Sequence, residues 1–461
     1  MREQIDQAAL EELRRDFKGQ ILLPSDPAYN DARQIYNGMI DRRPAIIAQC
    51  NEVEDVVQAV LFGRKHDLEI AVRSGGHSVE GWGLTDGGIV IDMRKMNSVR
   101  VDPVARIAYV GGGATWRDVD SACQPHDLAT TGGTISTTGV AGITLGGGWG
   151  YLARKLGLAC DNLISVELVT ADGSIVVTSE EDNPELFWAL HGGGGNFGVA
   201  TSFTFRLHHL PATTLALLVF SPTEGPNVIR RFRDVIERSA PDELSGEISY
   251  MTGPPEDPVP PELVNQLCLF LELFYVGPED EMRKFINPLM ELEPEGVMIS
   301  ELPYADIQSA FDMEPGLRNY WTAQPLEVLS DEAVELFCKR AYDMIVPSNS
   351  IQVLSSWGGA IARQDDKWPM GNRKSAWLVY SFGQWTDPAD DKRGIAWANA
   401  LCSDMIPHAT EGTYLNLITN EGRERIIAGY GRQDKYKRLA RVKAKYDPHN
   451  VFHMNHNIRP D

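Results

Sequence analysis

The stretch AVRSGGHSVEGWG, residues 71–83, ends an apolar run in Arg73-Ser74-Gly75-Gly76 and then presents His77 and Ser78. Glycine accepts positive φ and lets backbone approach a ligand closely. A turn of this composition can aim several N–H groups at one anion. An imidazole beside such a cradle is neutral and nucleophilic near pH 7. A plainer reading is a structural turn whose histidine bonds a neighbouring carbonyl. These residues alone leave both open.

Three more glycine clusters follow: GGGAT (111–115), TTGGTISTTGVAGITLGGGWG (130–150) and HGGGGNFGV (191–199). Several such loops in one region imply backbone amides converging on one large polar ligand, such as a dinucleotide. Gly193, Gly195 and Gly198 fit GxGxxG formally, but they follow a predicted helix and precede a strand. The dinucleotide fingerprint needs the opposite order. No Walker A sequence and no GxSxG elbow occur. HMNH (453–456) has two histidines but no third ligand in view, so no metal is expected. Six scattered cysteines without a CxxC pair read as buried free thiols.

The elements that must position these loops alternate along the first half. Residues 44–50 read as a strand, 52–67 as a helix with Val56, Val57, Val60 and Leu61 at helical spacing, and 68–74 as a strand. Together they make a βαβ unit that delivers the His77 turn. Strands at 87–93, 106–113 and 197–207, a helix at 116–127, and a hairpin about Asp172-Gly173 follow. Beyond HHLPATT (208–214) the strands lengthen and helices intervene at 227–239, 279–291, 330–344 and 390–407. This pattern predicts an α+β fold whose second part is one mostly antiparallel sheet covered by helices.

The net charge of −21 disfavours nucleic acid and anionic membrane as partners. No apolar run reaches 18 residues, and the charged, helical N-terminal stretch lacks a secretory core, so a cytoplasmic location is the default. A small-molecule substrate is compatible with all of this. Oligomeric state is not readable.

Five ordered segments resemble one family: RSGGHS (73–78), TGGTISTTGVAGITLGGGWGYLARKLGLACDN (131–162), LFWALHGGGGNFGV (186–199), TYLNLI (413–418) and YDPHNVFHMNHNI (446–458). The chain is similar to the berberine-bridge-enzyme-like oxidases of the vanillyl-alcohol oxidase superfamily. That resemblance implies a two-part PCMH-type FAD-binding domain (1–208), a substrate domain (209–412) and a C-terminal segment returning to the first (413–461). It implies FAD with its pyrophosphate against Arg73, Ser74, Gly75, Gly76, His77 and Ser78, and a bond from His77 to the flavin 8α carbon. Many relatives add a cysteinyl bond four residues before the glycine matching Gly139. Ile135 stands there, so a single link through His77 is expected.

The same resemblance places Gly81, Trp82, Gly133, Thr134, Thr137, Thr138, Gly139, Gly142, Gly146, Gly147, Gly148, Val199, Asn455 and Asn457 around FAD. Thr138 falls near the flavin C4a–N5 edge, where a small side chain leaves room for dioxygen. Tyr414 and Asn416 read as alternating positions of one strand, facing the same way. Their pattern resembles the motif at the active face of sugar- and alcohol-oxidising relatives, with Tyr414 as general base if its phenol pKa is lowered. Hydrogen bonding to flavin, or packing, is the other role for this tyrosine. Gln352, Leu354 and Ser356 share a strand face in the segment that contacts substrate in relatives, and Tyr320 and Trp377 supply aromatic surface. The implied reaction is oxidation of a CH–OH or related donor with reduction of dioxygen to hydrogen peroxide. A flavin dehydrogenase, an oxidative cyclase and a non-catalytic flavin carrier are the alternatives.

Overall fold

The computed structural model describes residues 7–364 and 367–461. The N-terminal helix covers Gln7–Asp16; the first six residues of that predicted stretch lie outside the described ones. Strand Ile46–Gln49, helix Val53–Lys65 and strand Ile70–Arg73 form the expected βαβ unit. Glu54 and Asp55 in the first turn of that helix, and Arg64 and Lys65 in the last, complement its dipole. Its Val56, Ala59 and Val60 pack on Ile46, Ile70 and Ile89, where each buried branched side chain contributes about 1.5–3 kcal/mol.

These strands belong to a four-stranded sheet ordered Gln20–Leu22, Ile46–Gln49, Ile89–Asp92, Ile70–Arg73. Its last three strands in that order run parallel. A five-stranded antiparallel sheet follows, ordered Val99–Asp102, Ile107–Gly111, Val199–Arg206, Leu163–Val169, Ile175–Ser179. Helix Trp116–Cys123 begins with a capping box of Thr115 and Asp118. The glycine segment that follows contains the short helix Val140–Leu145.

The second part is one antiparallel sheet of seven strands, ordered Gly296–Glu301, Thr214–Phe220, Leu267–Tyr275, Leu244–Thr252, Ile351–Ser356, Trp377–Trp385, Arg318–Leu326. Helices Gly225–Arg238, Glu279–Met290 and Asp331–Ala341 bury one face against Ile248, Leu271, Leu354 and Trp377. The other face meets the first part through Val353, Leu378 and Tyr380. Gly296–Glu301 and Arg318–Leu326 are strands that the sequence reading leaves out. Pro325 disguises the second, and it is tolerated because that strand is an edge.

Helix Gln433–Tyr446 packs its Tyr436, Leu439 and Ala440 on Phe187 and Leu190 of the first part. In its last turn, fully buried Lys443 donates to Asp447 (2.7 Å), the Asn196 carbonyl (2.6 Å) and the Phe452 carbonyl (2.8 Å). Burial pushes the Lys443 pKa down, and Asp447 opposes that shift. Asn196 Oδ1 accepts from the Ile458 N–H at 2.9 Å, tying the terminal segment to the glycine turn at 192–198.

Candidate flavin site

Two glycine turns meet back to back. A Cβ on Gly75 would lie 2.3 Å from the Gly139 nitrogen, and one on Gly139 would lie 2.2 Å from the Gly75 nitrogen. Only a residue without a side chain fits either position. The contact sets the His77 turn against the N-terminus of helix Val140–Leu145. No backbone carbonyl among the described residues accepts the N–H groups of Gly75, Gly76, His77 or Ser78.

A long cavity runs along this seam, with about 1890 Å³ of atom-free space, part of it open to solvent. Of the expected cofactor residues, Arg73, Ser74, Gly75, Gly76, His77, Ser78, Trp82, Thr134, Thr138, Gly139, Gly142, Gly146 and Asn455 line it. Gly81, Gly133, Thr137, Gly147, Gly148, Val199 and Asn457 do not line it. The Gly81 and Gly133 carbonyls accept from Arg42 and Gln308. Val199 is buried at the start of its strand, while its neighbours Gly198 and Ala200 reach the cavity.

Four polar atoms at the cavity wall are buried without a partner: Arg73 Nε, Ser74 Oγ, Asn455 Oδ1 and His456 Nδ1. Buried polar groups are normally satisfied. Free amides, orphaned polar atoms and two turns that exclude side chains fit an extended dinucleotide lying along the seam.

His77 stacks on Tyr36, with ring centroids 4.4 Å apart and planes 20° apart. Its Nε2 lies 3.1 Å from Thr137 Oγ1 and its Nδ1 3.4 Å from Thr138 Oγ1. Burial pushes its pKa down to about 4, against the opposing pull of Asp312. The ring is therefore neutral at pH 7 and nucleophilic. Ile135 lines the cavity, and no cysteine among the described residues does.

Tyr414 and Asn416 line the cavity as expected, but not from a strand. They flank and enter a 3₁₀ turn, Leu415–Leu417. The Tyr414 hydroxyl oxygen accepts from the N–H groups of Gly148 (2.9 Å) and Trp149 (3.0 Å) and from Asn416 Nδ2 (3.0 Å). Burial outweighs these bonds and pushes the phenol pKa up to about 12. That is opposite to what a general base requires, and the bonds from Gly148 and Trp149 make Tyr414 an anchor for the 146–149 turn.

All five expected substrate residues point away from the cavity. Gln352 donates to the Phe337 carbonyl (2.6 Å), and Leu354 and Trp377 sit in the core beneath the helices. Trp377 Nε1 donates to Glu237 (3.1 Å), and Tyr320 Oη donates to Asn399 on helix Asp391–Met405 (3.1 Å). Ser356 Oγ donates to the Gly246 carbonyl (3.0 Å). The wall facing the cavity comes from the other parity of these strands, Trp321 and Phe382, with Tyr36, Trp149 and Met313. Trp149 carried a signal, a bulky aromatic inside GGGWG. Tyr36 and Met313 carried none.

This fold and cradle define a flavin-dependent oxidoreductase. The sequence model of the family described as FAD binding domain matches residues 44–179, and that described as berberine and berberine like matches 413–459. An uncharacterised FAD-linked oxidoreductase of Bacillus subtilis (strain 168) is 30% identical over 460 residues, covering 96% of this chain and 97% of that protein. The (R)-6-hydroxynicotine oxidase of Paenarthrobacter nicotinovorans is 29% identical, covering 96% and 97%. The crystal structure of 6-hydroxy-D-nicotine oxidase from Arthrobacter nicotinovorans superposes with a TM-score of 0.85 at 27% identity, covering 97% of this chain and 99% of that one. The chain belongs to the berberine-bridge-enzyme-like FAD-linked oxidoreductases.

Proposed function

We propose that this chain is an oxidase holding FAD covalently through His77 alone, acting on a CH–OH or related donor of a small molecule, with dioxygen as acceptor. FAD held there would supply the redox chemistry, taking two electrons from the donor and passing them to dioxygen, with hydrogen peroxide as the product. The observation that carries the reading is a neutral, stacked imidazole in a cavity built from two side-chain-excluding turns.

His77 supplies the nucleophile for the 8α carbon, with its ring plane set by Tyr36 and its nitrogens held by Thr137 and Thr138. Ile135 occupies the position where a second, cysteinyl link would arise. Thr138 keeps the wall small for dioxygen. Trp149, Trp321, Phe382 and Tyr36 line an aromatic slot that suits a donor with a ring or other planar apolar face. We assign 1–208 and 413–461 to FAD binding and 209–412 to the slot's roof.

Stopped-flow mixing of the photoreduced holoprotein with air-saturated buffer tests the reading. Reoxidation within seconds, with one peroxide per flavin, is expected. Thr138→Leu should slow it at least about tenfold, about 1.4 kcal/mol of barrier. Reoxidation that stays slow in air and quickens only with a quinone would make the chain a dehydrogenase.

A further inference from the structure

Behind Trp149 lies a second, smaller pocket with room for about one water-sized group. Trp149 is the residue that lines both this pocket and the flavin cavity. Its indole stacks on Trp357 with centroids 6.3 Å apart and meets the Tyr380 ring edge-on at 6.2 Å.

Two carboxylates face each other inside. Glu247 and Glu272 are Cα partners across the strands Leu244–Thr252 and Leu267–Tyr275, on the sheet face turned toward the first part of the chain. Glu247 Oε1 accepts from Ser355 Oγ (2.6 Å) and Tyr380 Oη (3.0 Å). Glu272 is reached by Tyr151, while its Oε1 is buried with no partner. Burial raises both carboxyls, and the Glu247 charge raises Glu272 further. Like charges so close oppose each other's ionisation, so a negative charge on the pair needs a cation beside it. Arg154 is the cation on the pocket wall, but its Nε donates to the Leu244 carbonyl (2.8 Å) and its Nη1 to the Trp357 carbonyl. Among the described residues neither glutamate has an ion pair.

An uncompensated buried charge is costly to keep. An orphaned carboxyl oxygen in a water-sized space, walled by the rings of Trp149, Tyr151 and Phe274, offers the acceptor and the π faces that complement an ammonium group.

We propose that Glu247 and Glu272 form an ammonium subsite that receives the cationic amine of the substrate, with Trp149 as the partition between this subsite and the flavin cavity. The inference rests on the oxidase reading and narrows its substrate class to planar molecules carrying a primary amine. Admission of the amine requires the Trp149 indole to move off the Trp357 and Tyr380 rings, with the planar body kept in the aromatic slot.

The test compares tyramine with 4-hydroxyphenethyl alcohol, its neutral isostere, by calorimetry on the anaerobic holoprotein. Tyramine should bind at least about tenfold tighter at pH 7. Glu272→Gln should remove that preference and leave the alcohol's affinity unchanged. Equal affinities, no binding of tyramine, or a preference that survives Glu272→Gln would overturn the proposal. Should Glu272→Gln fail to fold, the comparison on the unsubstituted protein decides alone. Failure of the oxidase reading shows separately, as absent peroxide, because calorimetry needs no turnover.

Discussion

Tyr36 lies face to face with His77, 4.4 Å between ring centroids, and so fixes the plane of the imidazole inside the cavity. The ring's pKa is pushed down to about 4, chiefly by burial. A depressed histidine pKa leaves the nucleophilic neutral form in place at and above pH 5. Covalent attachment of FAD to the apoprotein should therefore proceed at one rate from pH 6 to pH 8 and fall about tenfold per unit below pH 4. In-gel flavin fluorescence after timed acid quench measures it. A rate that climbs steeply between pH 6 and 7 would place the pKa at its ordinary value of about 6.5 and contradict the account.

The Gly75–Gly139 contact makes a sharp prediction for a single methyl group. Gly139→Ala sets a Cβ 2.2 Å from the Gly75 nitrogen and must separate the turns. Overpacking of this kind costs about 1–3 kcal/mol, and flavin content should fall below about a tenth. Gly142→Ala is the control, since a Cβ there meets nothing within 4 Å. Its apoprotein should melt with the unsubstituted apoprotein. Equal flavin loading by Gly139→Ala would show that the turns need not touch.

Tyr414→Phe removes the acceptor for two backbone N–H groups, at Gly148 and Trp149. Urea unfolding should show a loss of about 2 kcal/mol or more. Flavin reduction should slow by less than about tenfold, because a phenol whose pKa is raised is a poor base. A loss of about 100-fold in reduction with unchanged stability would return that role to Tyr414.

At the other end of the chain, Lys443→Met strands the Asp447 carboxylate in a buried site. The cost should be about 3–5 kcal/mol, with early proteolytic release of the segment after Tyr446. A variant as stable as the parent chain would mean that the pair does not hold the terminal segment.

The cradle was legible in the sequence because its geometry dictates residue type. Gly75 and Gly139 touch, and Gly76 has φ of +75°. The βαβ unit and the hairpin about Asp172-Gly173 were legible for similar local reasons. The substrate wall was not. Strand Trp377–Trp385 is buried along nearly its whole length, because helices cover one face and the first part of the chain covers the other. Alternation then gives two faces but not which of them meets the ligand. Choosing Tyr320 over Trp321, or Trp377 over Phe382, is a one-residue error in parity. Tyr414 and Asn416 read as a strand because Leu415 and Leu417 alternate with them, yet the segment closes into a 3₁₀ turn. Glu247 and Glu272 became a pair only through strand register, which links positions far apart in the chain.

The most direct test is a peptide map of the acid-precipitated protein. The account predicts a yellow pellet in which the tryptic peptide Ser74–Arg94, whose one histidine is His77, carries the mass of FAD less two hydrogens, and no cysteine peptide carries flavin. A colourless pellet with Ser74–Arg94 unmodified, or flavin on any cysteine, would contradict it.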